Sequence, residues 1–445
     1  MQSLIKNSQA EVYCSMEKKQ SAARARLEAF FDAATFVELG AYIRRPGNLS
    51  ENEGVVCGYG AVSGRLVFAF AQDADAMKGA VDARHAEKIA ALYDKAVSVG
   101  APVVGLLDSA GAVVFDGAAA LSGYGGLLDT VASASGVVPQ LALVHGCCTG
   151  TMAVLAAAFD FAVVTKNADL YVMGEGSGEA AYLAGEAAML VENEQEGLDA
   201  LRALLAYLPD ACDSACDAGV SGDDPNRPVA LDGKTTAKAA LAALCDNGAC
   251  LSLYGGTAPE VEAGLATMGD TAVAVLAVDG ALTLDGVEKM TKMLHVADAF
   301  GLPVVTLLNC CGLDAAGNRG AVALARLARL QSAADTARVS VVVGAAVGAG
   351  FVFGGNKALG ADVVLSLPDA EIAALPAATA VAFLQNDAVS KACDRATLED
   401  TWRREHATAL AAASVGEVDD IVAPAELRAR VIAALYMLEG KNGLR

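Results

Sequence analysis

The segment GAPVVGLLD at residues 100–108 returns in the second half of the chain as GLPVVTLLN at residues 301–309. Each copy is followed by an apolar run that leads into a turn of small residues, GCCTGT at 146–151 and GAAVGA at 344–349. An apolar run, a small-residue turn and a helical stretch together predict a buried strand that turns sharply into a helix. The chain therefore carries the same strand–turn–helix unit twice, and we call the two turns the first and second elbows.

The repeat predicts two tandem α/β domains. Residues 209–238 separate the two copies and are rich in Asp and Pro without apolar periodicity, which is typical of a linker. We therefore assign residues 1–208 to an N-terminal domain and residues 239–445 to a C-terminal domain. Continuous apolar runs indicate strands that are buried on both faces, as in a parallel sheet. Periodicity alone does not distinguish a parallel sheet from a layered spiral of strands.

Composition limits the classes of partner that the chain can have. The 445 residues are 54% hydrophobic and carry a formal net charge of −21. This charge argues against nucleic acid and anionic membrane surfaces, because both are negatively charged themselves. The N-terminus shows no signal peptide, and the eleven cysteines lack the Cys-x-x-Cys spacing of zinc sites. We expect reduced thiols, no bound metal and a cytoplasmic location.

Two runs, residues 141–159 and 339–356, are long and apolar enough to raise the question of membrane insertion. Both are interrupted by glycine at an elbow, and both occupy equivalent places in the repeat. A buried strand that turns into a buried helix explains these two features better than a membrane span does.

The elbows suggest a chemical role for the backbone. Small residues let a ligand approach the main chain closely, and the helix that follows begins with unpaired N–H groups at the positive end of its dipole. Two such amides form an oxyanion hole, which suits a thioester oxygen that becomes an enolate. The predicted donors are Gly150 and Thr151 at the first elbow, and Gly348 and Ala349 at the second. Close packing of strand on helix, without any ligand, is the alternative.

Other catalytic devices are missing from the sequence. Neither the Gly-x-Gly-x-x-Gly fingerprint of dinucleotide-binding folds nor a Gly-x-x-x-x-Gly-Lys-Ser/Thr phosphate loop occurs. The four histidines lack metal-ligand spacing, and only His145, one residue before the first elbow, is placed to tune a site. The chemistry is therefore expected to depend on backbone donors and a cofactor.

An ordered set of motifs covers nearly the whole chain. In the first half these are FVELG (36–40), GVVCGYG (54–60), FAQD (70–73), HAEKI (85–89), GAPVVGLLDSAG (100–111), GYG (123–125) and ASGVVPQ (134–140). In the second half they are ADAF (297–300), LGADVV (359–364) and VDDIV (418–422). In this order they resemble the carboxyltransferase family of biotin-dependent acyl-CoA carboxylases, transcarboxylases and decarboxylases.

The resemblance implies an α/β fold of two tandem crotonase-like (ClpP-like) domains, each a β-β-α superhelix. It also implies a homodimer or higher homo-oligomer, in which the N-terminal domain of one subunit faces the C-terminal domain of another. The N-terminal domain would bind an acyl-CoA thioester, and the C-terminal domain would bind biotin delivered on a separate carrier protein. A carboxyl group would move between biotin and the α-carbon of the thioester, through an enolate and a ureido oxyanion held at the first and second elbows.

The resemblance also assigns binding residues. Those for acyl-CoA are Ser109, Ala110, Gly111, Ala112, Gly123, Tyr124, Cys148 and Thr149, and those for biotin are Val347, Gly350 and Phe351. Further subunits of a carboxylase or decarboxylase complex are implied partners, and the implied location is the cytoplasm, including the periphery of a membrane complex.

Departures from the family pattern keep two alternatives open. The family commonly has Gly-Gly at each elbow, whereas this chain has Gly150-Thr151 and Gly348-Ala349. One alternative is a divergent, non-catalytic assembly subunit of such a complex. The other is a different crotonase-type acyl-CoA enzyme, which would place a carboxylate, Glu175 or Glu179, beside the first elbow.

Overall fold

The computed structural model describes residues 21–45, 48–216, 218–314, 318–389 and 394–441. The chain divides into two compact units. The first runs to Arg202 and includes residues 210–212, whereas the second consists of residues 203–209 and the chain from Asp213 onward. Two tandem domains are therefore confirmed, while the boundaries at 208 and 238 stay a prediction.

The first unit contains ten strands and six α-helices within its described part. The strands are β1 (Val37–Leu39), β2 (Arg44–Arg45), β3 (Asn48–Asn52), β4 (Val55–Val62), β5 (Arg65–Gln72), β6 (Val103–Ser109), β7 (Gln140–Thr149), β8 (Phe161–Thr165), β9 (Asp169–Tyr171) and β10 (Met189–Val191). The helices are α1 (Ala22–Phe30), α2 (Ala83–Val99), α3 (Ala118–Ala134), α4 (Thr151–Ala157), α5 (Gly178–Leu183) and α6 (Glu194–Leu205), the last of which reaches the division between the units.

The described part of the second unit repeats this series and adds helices near its end. The strands are β11 (Cys250–Leu253), β12 (Val261–Met268), β13 (Thr271–Thr283), β14 (Val304–Asp314), β15 (Arg338–Val347), β16 (Val363–Ser366), β17 (Glu371–Ala373) and β18 (Asp420–Ile421). The helices are α7 (Ala237–Leu244), α8 (Leu284–Ala299), α9 (Asn318–Ala333), α10 (Ala349–Gly355), α11 (Ala377–Leu384), α12 (Arg395–His406), α13 (Ala409–Ser414) and α14 (Leu427–Leu438).

The two large sheets have the same topology. The strand order is β1-β4-β5-β6-β7-β8-β10 in the first and β11-β12-β13-β14-β15-β16-β18 in the second. In each sheet the first three strands pair antiparallel and the rest pair parallel. In each sheet one central strand pairs with two later strands along its length. Strand β7 pairs first with β8 and then with β9, and β15 pairs first with β16 and then with β17. This branching is the layered arrangement that periodicity alone left open.

Local sequence explains where the elements begin and end. Strand β6 and the first half of β14, residues 304–308, are mainly apolar because both of their faces are buried. Helix α2 begins at an N-cap, where the Asp82 carboxylate accepts the amide hydrogen of His85 at 2.8 Å. Helix α8 begins in the same way, with the Thr283 hydroxyl accepting from the Gly286 amide at 3.1 Å.

Both runs that raised the membrane question fold as predicted. Residues 141–159 form most of β7, the first elbow and α4, and residues 339–356 form most of β15, the second elbow and α10. Each run is thus a buried strand and a short helix. Within the described ranges, every helix is too short or too polar to cross a bilayer.

Several local predictions need correction. The sequence of residues 186–208 predicts one helix. The structure instead has the strand β10 before α6 begins, because β10 continues the parallel sheet beside β8. The sequence from Ala388 onward predicts one long charged helix before the short segment at 418–422. The structure has two helices there, α12 and α13. The sequence of residues 1–30 predicts an amphipathic helix. Its last part is observed as α1, and residues 1–20 lie outside the described residues.

Candidate active site

Each elbow is held by the side chain that ends the repeated segment. In the first unit the Asp108 Oδ1 atom accepts the backbone amide of Cys147 at 3.0 Å. In the second unit the Asn309 Oδ1 atom accepts the amide of Ala345 at 3.1 Å. The strand register shifts at both places, between Leu107 and Ser109 in one unit and between Leu308 and Cys310 in the other. An oxygen-bearing side chain therefore joins two strands where their regular pairing is interrupted.

The elbow glycines adopt a backbone conformation that other residues avoid. Gly150 has φ 63° and ψ −129°, and Gly348 has φ 55° and ψ −126°. A Cβ at either position would be strained, so glycine is required for the strand to turn directly into the helix. Thr151 and Ala349 are the first residues of α4 and α10 and do not have positive φ. Replacing the second glycine of the family pattern therefore leaves the backbone of each elbow unstrained.

The structure shows which of the predicted donors already have an acceptor within the protein. The Gly150 amide donates to the Tyr171 carbonyl at 3.0 Å, and the Gly348 amide donates to the Ala373 carbonyl at 2.8 Å. Both amides are used to attach the neighbouring strand, so they are not free for a ligand. Of the four predicted donors, the amides of Thr151 and Ala349 remain for a ligand.

The amides of Thr151 and Ala349 occupy the N1 position of their helices, where an N–H group has no intrahelical acceptor. Within the part of the chain that the structure describes, neither amide donates to another group. The helix dipole adds positive potential at the same point. Each elbow thus presents one unpaired backbone donor in an equivalent place.

Of the predicted acyl-CoA residues, Cys148 and Thr149 belong to the first elbow, and Ser109 and Tyr124 lie close to it. Ser109 pairs in register with Cys148, so the end of β6 lies directly beside the elbow. Tyr124 of α3 is buried near Ser109, and burial raises the pKa of its hydroxyl. Cys148 is fully buried in the core and its thiol pKa is raised to about 12 by burial, so it is a structural residue that stays protonated at neutral pH.

Gly123 is placed differently from the other predicted acyl-CoA residues. A Cβ at this position would lie 3.1 Å from the Asp82 carbonyl oxygen and the Ala83 Cα. Gly123 therefore serves the packing of α3 on the start of α2.

A cavity of about 620 Å³ lies beside the second elbow. Gly348, Phe351 and Val352 line it from the elbow and α10, and Ile372 lines it from β17. Glu405 and His406, at the end of α12, line another side and are missed by the sequence analysis. Of the three predicted biotin residues only Phe351 reaches this cavity, because Val347 and Gly350 are buried beneath the elbow.

His145 does not act as a free base at the first elbow. Its ring is 3% exposed, and the Nδ1 atom lies 3.8 Å from the Glu194 carboxylate. Burial and the nearby Arg26 guanidinium lower the pKa of His145, with the opposing charges of Glu194 and Asp108 raising it in part. The imidazole is therefore neutral at pH 7 and belongs to the packing of α1 and α6 against β7.

Comparison with solved structures identifies the fold. The crystal structure of transcarboxylase 12S, a hexamer with methylmalonyl-CoA and methylmalonic acid bound, aligns with a TM-score of 0.88 and 26% identity. The alignment covers 95% of this chain and 90% of the other. The sequence profile of the carboxyl transferase domain matches residues 15–443. The chain belongs to the carboxyl transferase family. The predicted fold of two tandem crotonase-like domains is thereby confirmed.

Two curated relatives show the range within the family. This carboxyltransferase is 32% identical to the methylmalonyl-CoA decarboxylase subunit alpha of Propionigenium modestum, over 94% of this chain and 90% of the relative. It is 29% identical to the putative propionyl-CoA carboxylase beta chain of Bacillus subtilis, over 96% and 92% of the two chains. The predicted activity, biotin-dependent carboxyl transfer to or from an acyl-CoA, is confirmed by this membership.

Proposed function

We propose that the two elbows are the two oxyanion sites of the transfer reaction. In this proposal the Thr151 amide binds the thioester oxygen of an acyl-CoA, and the Ala349 amide binds the ureido oxygen of biotin. The observation that carries the proposal is the duplication itself: two glycines in one unusual conformation, each followed by an unpaired amide at a helix start. A reaction that develops negative charge on an oxygen of each substrate requires two such donors.

At the first elbow the chain contributes a fixed donor, and the buried His145 is not available as a general base. When the α-carbon of the acyl group becomes nucleophilic, charge moves to the thioester oxygen, and the Thr151 amide is positioned to stabilise it without moving. The Asp108 side chain fixes the preceding turn through the Cys147 amide, so it acts as a positioning residue.

The second unit fits biotin as a cofactor carried by another protein. The cavity beside Gly348 falls within the usual range of small-molecule sites, about 300–1,000 Å³. Phe351, Val352 and Ile372 give it an apolar lining that would hold a bicyclic ring, and Gly348, the residue before Ala349, lines it as well. When bound, biotin supplies the nitrogen that carries the carboxyl group between the two substrates.

The named relatives indicate the substrate class and the assembly. Methylmalonyl-CoA and propionyl-CoA occur in the names of the decarboxylase, carboxylase and transcarboxylase subunits, so we propose this pair as substrate and product. We also propose a homo-oligomer that works with a biotin carrier and other subunits, in the cytoplasm or at the periphery of a membrane complex. Glu179, the candidate base of a biotin-independent enzyme, is exposed and lies 3.8 Å from Lys166.

Proline substitutions at Thr151 and Ala349 test the oxyanion roles. Proline is well tolerated at N1, where it removes only an N–H group that the helix does not use. We expect Thr151→Pro and Ala349→Pro each to lower kcat for carboxyl transfer from methylmalonyl-CoA to biotin by about 10²–10³-fold. Ala22→Pro is the matched control, because Ala22 is the exposed N1 residue of α1.

The outcome is read from the rate of propionyl-CoA formation and from thermal denaturation of each variant. If Thr151→Pro or Ala349→Pro turns over at the rate of Ala22→Pro, the assignment of that elbow is wrong. Calorimetric titration with acetyl-, propionyl-, malonyl-, methylmalonyl- and glutaconyl-CoA complements the rates. A folded protein that binds none of them would favour the non-catalytic assembly subunit.

A further inference from the structure

A short turn beside the first elbow has an unusual backbone. Met77, Lys78 and Gly79, between β5 and α2, have φ angles of 50°, 55° and 64°. Glycine adopts this left-handed region readily, but Met and Lys do so only when the surrounding structure holds them there. Residues in such conformations often lie at ligand-binding positions. The turn therefore invites the question of what the Lys78 side chain does.

The turn is attached to the end of β6. The Lys78 carbonyl accepts the Ala110 amide at 2.9 Å, and a Cβ on Gly79 would lie 2.0 Å from the Asp108 carbonyl oxygen. Ala110 follows Ser109, which pairs with Cys148 at the elbow. The Lys78 backbone is therefore attached to β6, the strand that pairs with the elbow. Asp108, which holds the elbow through the Cys147 amide, also packs against Gly79.

The Lys78 ammonium is exposed and has no ion partner within the first unit's described side chains. Apart from Lys78 and Lys95, the cationic side chains described in this unit all have a partner. Lys88 donates to a backbone carbonyl, and each of the others has a carboxylate neighbour. Lys95 lies on α2, along a groove formed with residues such as Leu39 and Arg84. Among the side chains that the structure describes, Lys78 is therefore the cation beside the first elbow that lacks an ion partner.

The other charges that act on Cys147, in the first elbow, are negative. Burial raises the pKa of the Cys147 thiol; the negative charges of Asp169 and Asp108 also raise it, whereas the Lys78 charge lowers it. The hydrogen bond from the Ala110 amide places the Lys78 turn beside the elbow, where the Lys78 charge opposes those of the two carboxylates. An anionic group that enters here would be repelled by the two carboxylates and by the net charge of −21 over the chain. A cation such as Lys78 offsets this repulsion.

We propose that Lys78 binds the free carboxylate of a carboxylated acyl-CoA thioester, and so selects acyl groups of the malonyl or methylmalonyl type over uncharged ones. This inference rests on the proposed function of the first elbow as the acyl-CoA site. Lys78 is a specificity-determining residue in this role. Because the carboxylate is bound before it is transferred, the contact stabilises the ground state, and its loss raises KM without an equal loss of kcat.

Calorimetric titration of wild type, Lys78→Gln and Lys95→Gln with methylmalonyl-CoA and propionyl-CoA tests the proposal. The two thioesters share the CoA moiety and differ in the carboxylate. We expect Lys78→Gln to weaken methylmalonyl-CoA binding about tenfold or more, as for a lost hydrogen bond to a charged group, and propionyl-CoA binding less than twofold. Lys95→Gln is expected to change neither.

The variant Lys78→Gly separates a functional role from a structural one. Glycine removes the ammonium but suits the left-handed conformation, so the melting temperature should stay equal or rise while methylmalonyl-CoA binding weakens as in Lys78→Gln. Equal weakening for both thioesters would show that Lys78 contacts the CoA phosphates, and unchanged binding would show no contact at all; either result overturns the proposal. Failure of wild type to bind any acyl-CoA would instead refute the acyl-CoA role of the first elbow, and this inference with it.

Discussion

The two side chains that hold the elbows, Asp108 and Asn309, differ in a way that can be measured. The Asn309 Nδ2 atom donates to the Asp279 Oδ1 atom at 3.0 Å. Asp279 also accepts the backbone amides of Ala237 and Lys238 at the start of α7, at 2.8 and 3.1 Å. The substitution Asn309→Asp keeps an acceptor for the elbow, but it replaces the donor to Asp279 with a second carboxylate oxygen.

The size of the effect follows from the distance. Two unit charges 3.0 Å apart, at an effective dielectric constant of about 20, repel by about 5.5 kcal/mol. Protonating one carboxyl group at pH 7, from an ordinary pKa of about 3.9, costs about 4 kcal/mol. Because the pair adopts the less costly state, we expect Asn309→Asp to lower the free energy of unfolding by about 4 kcal/mol at pH 7.

The loss should depend on pH. The folded variant binds a proton more tightly than the unfolded chain does, so the pKa of the pair is raised and the penalty grows as the pH increases above the unfolded pKa. Each unit of decrease below pH 7 should therefore restore about 1.4 kcal/mol relative to wild type.

Urea denaturation between pH 5 and pH 8 provides the measurement. The chain has a single tryptophan, Trp402, and it lies in α12 of the second unit, so its fluorescence reports the unit that carries Asn309. Asp108→Asn is the matched control and is followed by circular dichroism. It keeps the Oδ1 acceptor for Cys147, so we expect a change within about 1 kcal/mol. A full penalty at pH 5, or none at pH 7, would refute the charge-pair reasoning.

Two further predictions concern buried charges. Burial raises the pKa of Asp160 to about 7, although the hydrogen bond from the Gln140 amide opposes this shift. The folded protein therefore binds the proton more tightly than the unfolded chain does. As the pH rises from about 4 to 7, the free energy of unfolding should fall by up to about 1.4 kcal/mol per pH unit. Asp160→Asn should remove that slope in denaturation followed by circular dichroism; a slope equal to that of wild type would contradict it. Arg428 is fully buried, with Nη2 2.6 Å from the Asp246 carboxylate. Arg428→Ala should cost about 3–5 kcal/mol by Trp402 fluorescence, because it leaves that carboxylate unpaired, and a loss below about 1 kcal/mol would refute the interpretation.

The repeat made the fold predictable from the sequence. Two copies of an apolar run ending in a small-residue elbow locate β7 with α4 and β15 with α10, and both pairs are observed. The branching of β7 toward β8 and β9 was not predictable, because it depends on tertiary pairing that leaves no periodicity. Strand β10 was missed for the same reason, since three residues at a sheet edge are too few to show alternation.

The candidate site was predictable in position but not in detail. The elbows were found because glycine and small residues mark a sharp turn. Which amide is free could not be read from sequence, because it depends on the carbonyls of Tyr171 and Ala373 on other strands. The roles of Asp108 and Asn309 had a visible signal, since both end the repeated segment that defines the two copies.

The near identity of the two elbow glycines, within 8° in φ and 3° in ψ, has a consequence for how the two halves could diverge. A donor that is a peptide N–H is supplied by every amino acid except proline. Selection on such a donor constrains main-chain shape and leaves neighbouring side chains free to vary, as in Cys147-Cys148-Thr149 against Ala345-Ala346-Val347. A duplicated gene could thus retain one inherited hydrogen-bonding device in both copies, while each copy acquired its own ligand through unrelated side-chain changes.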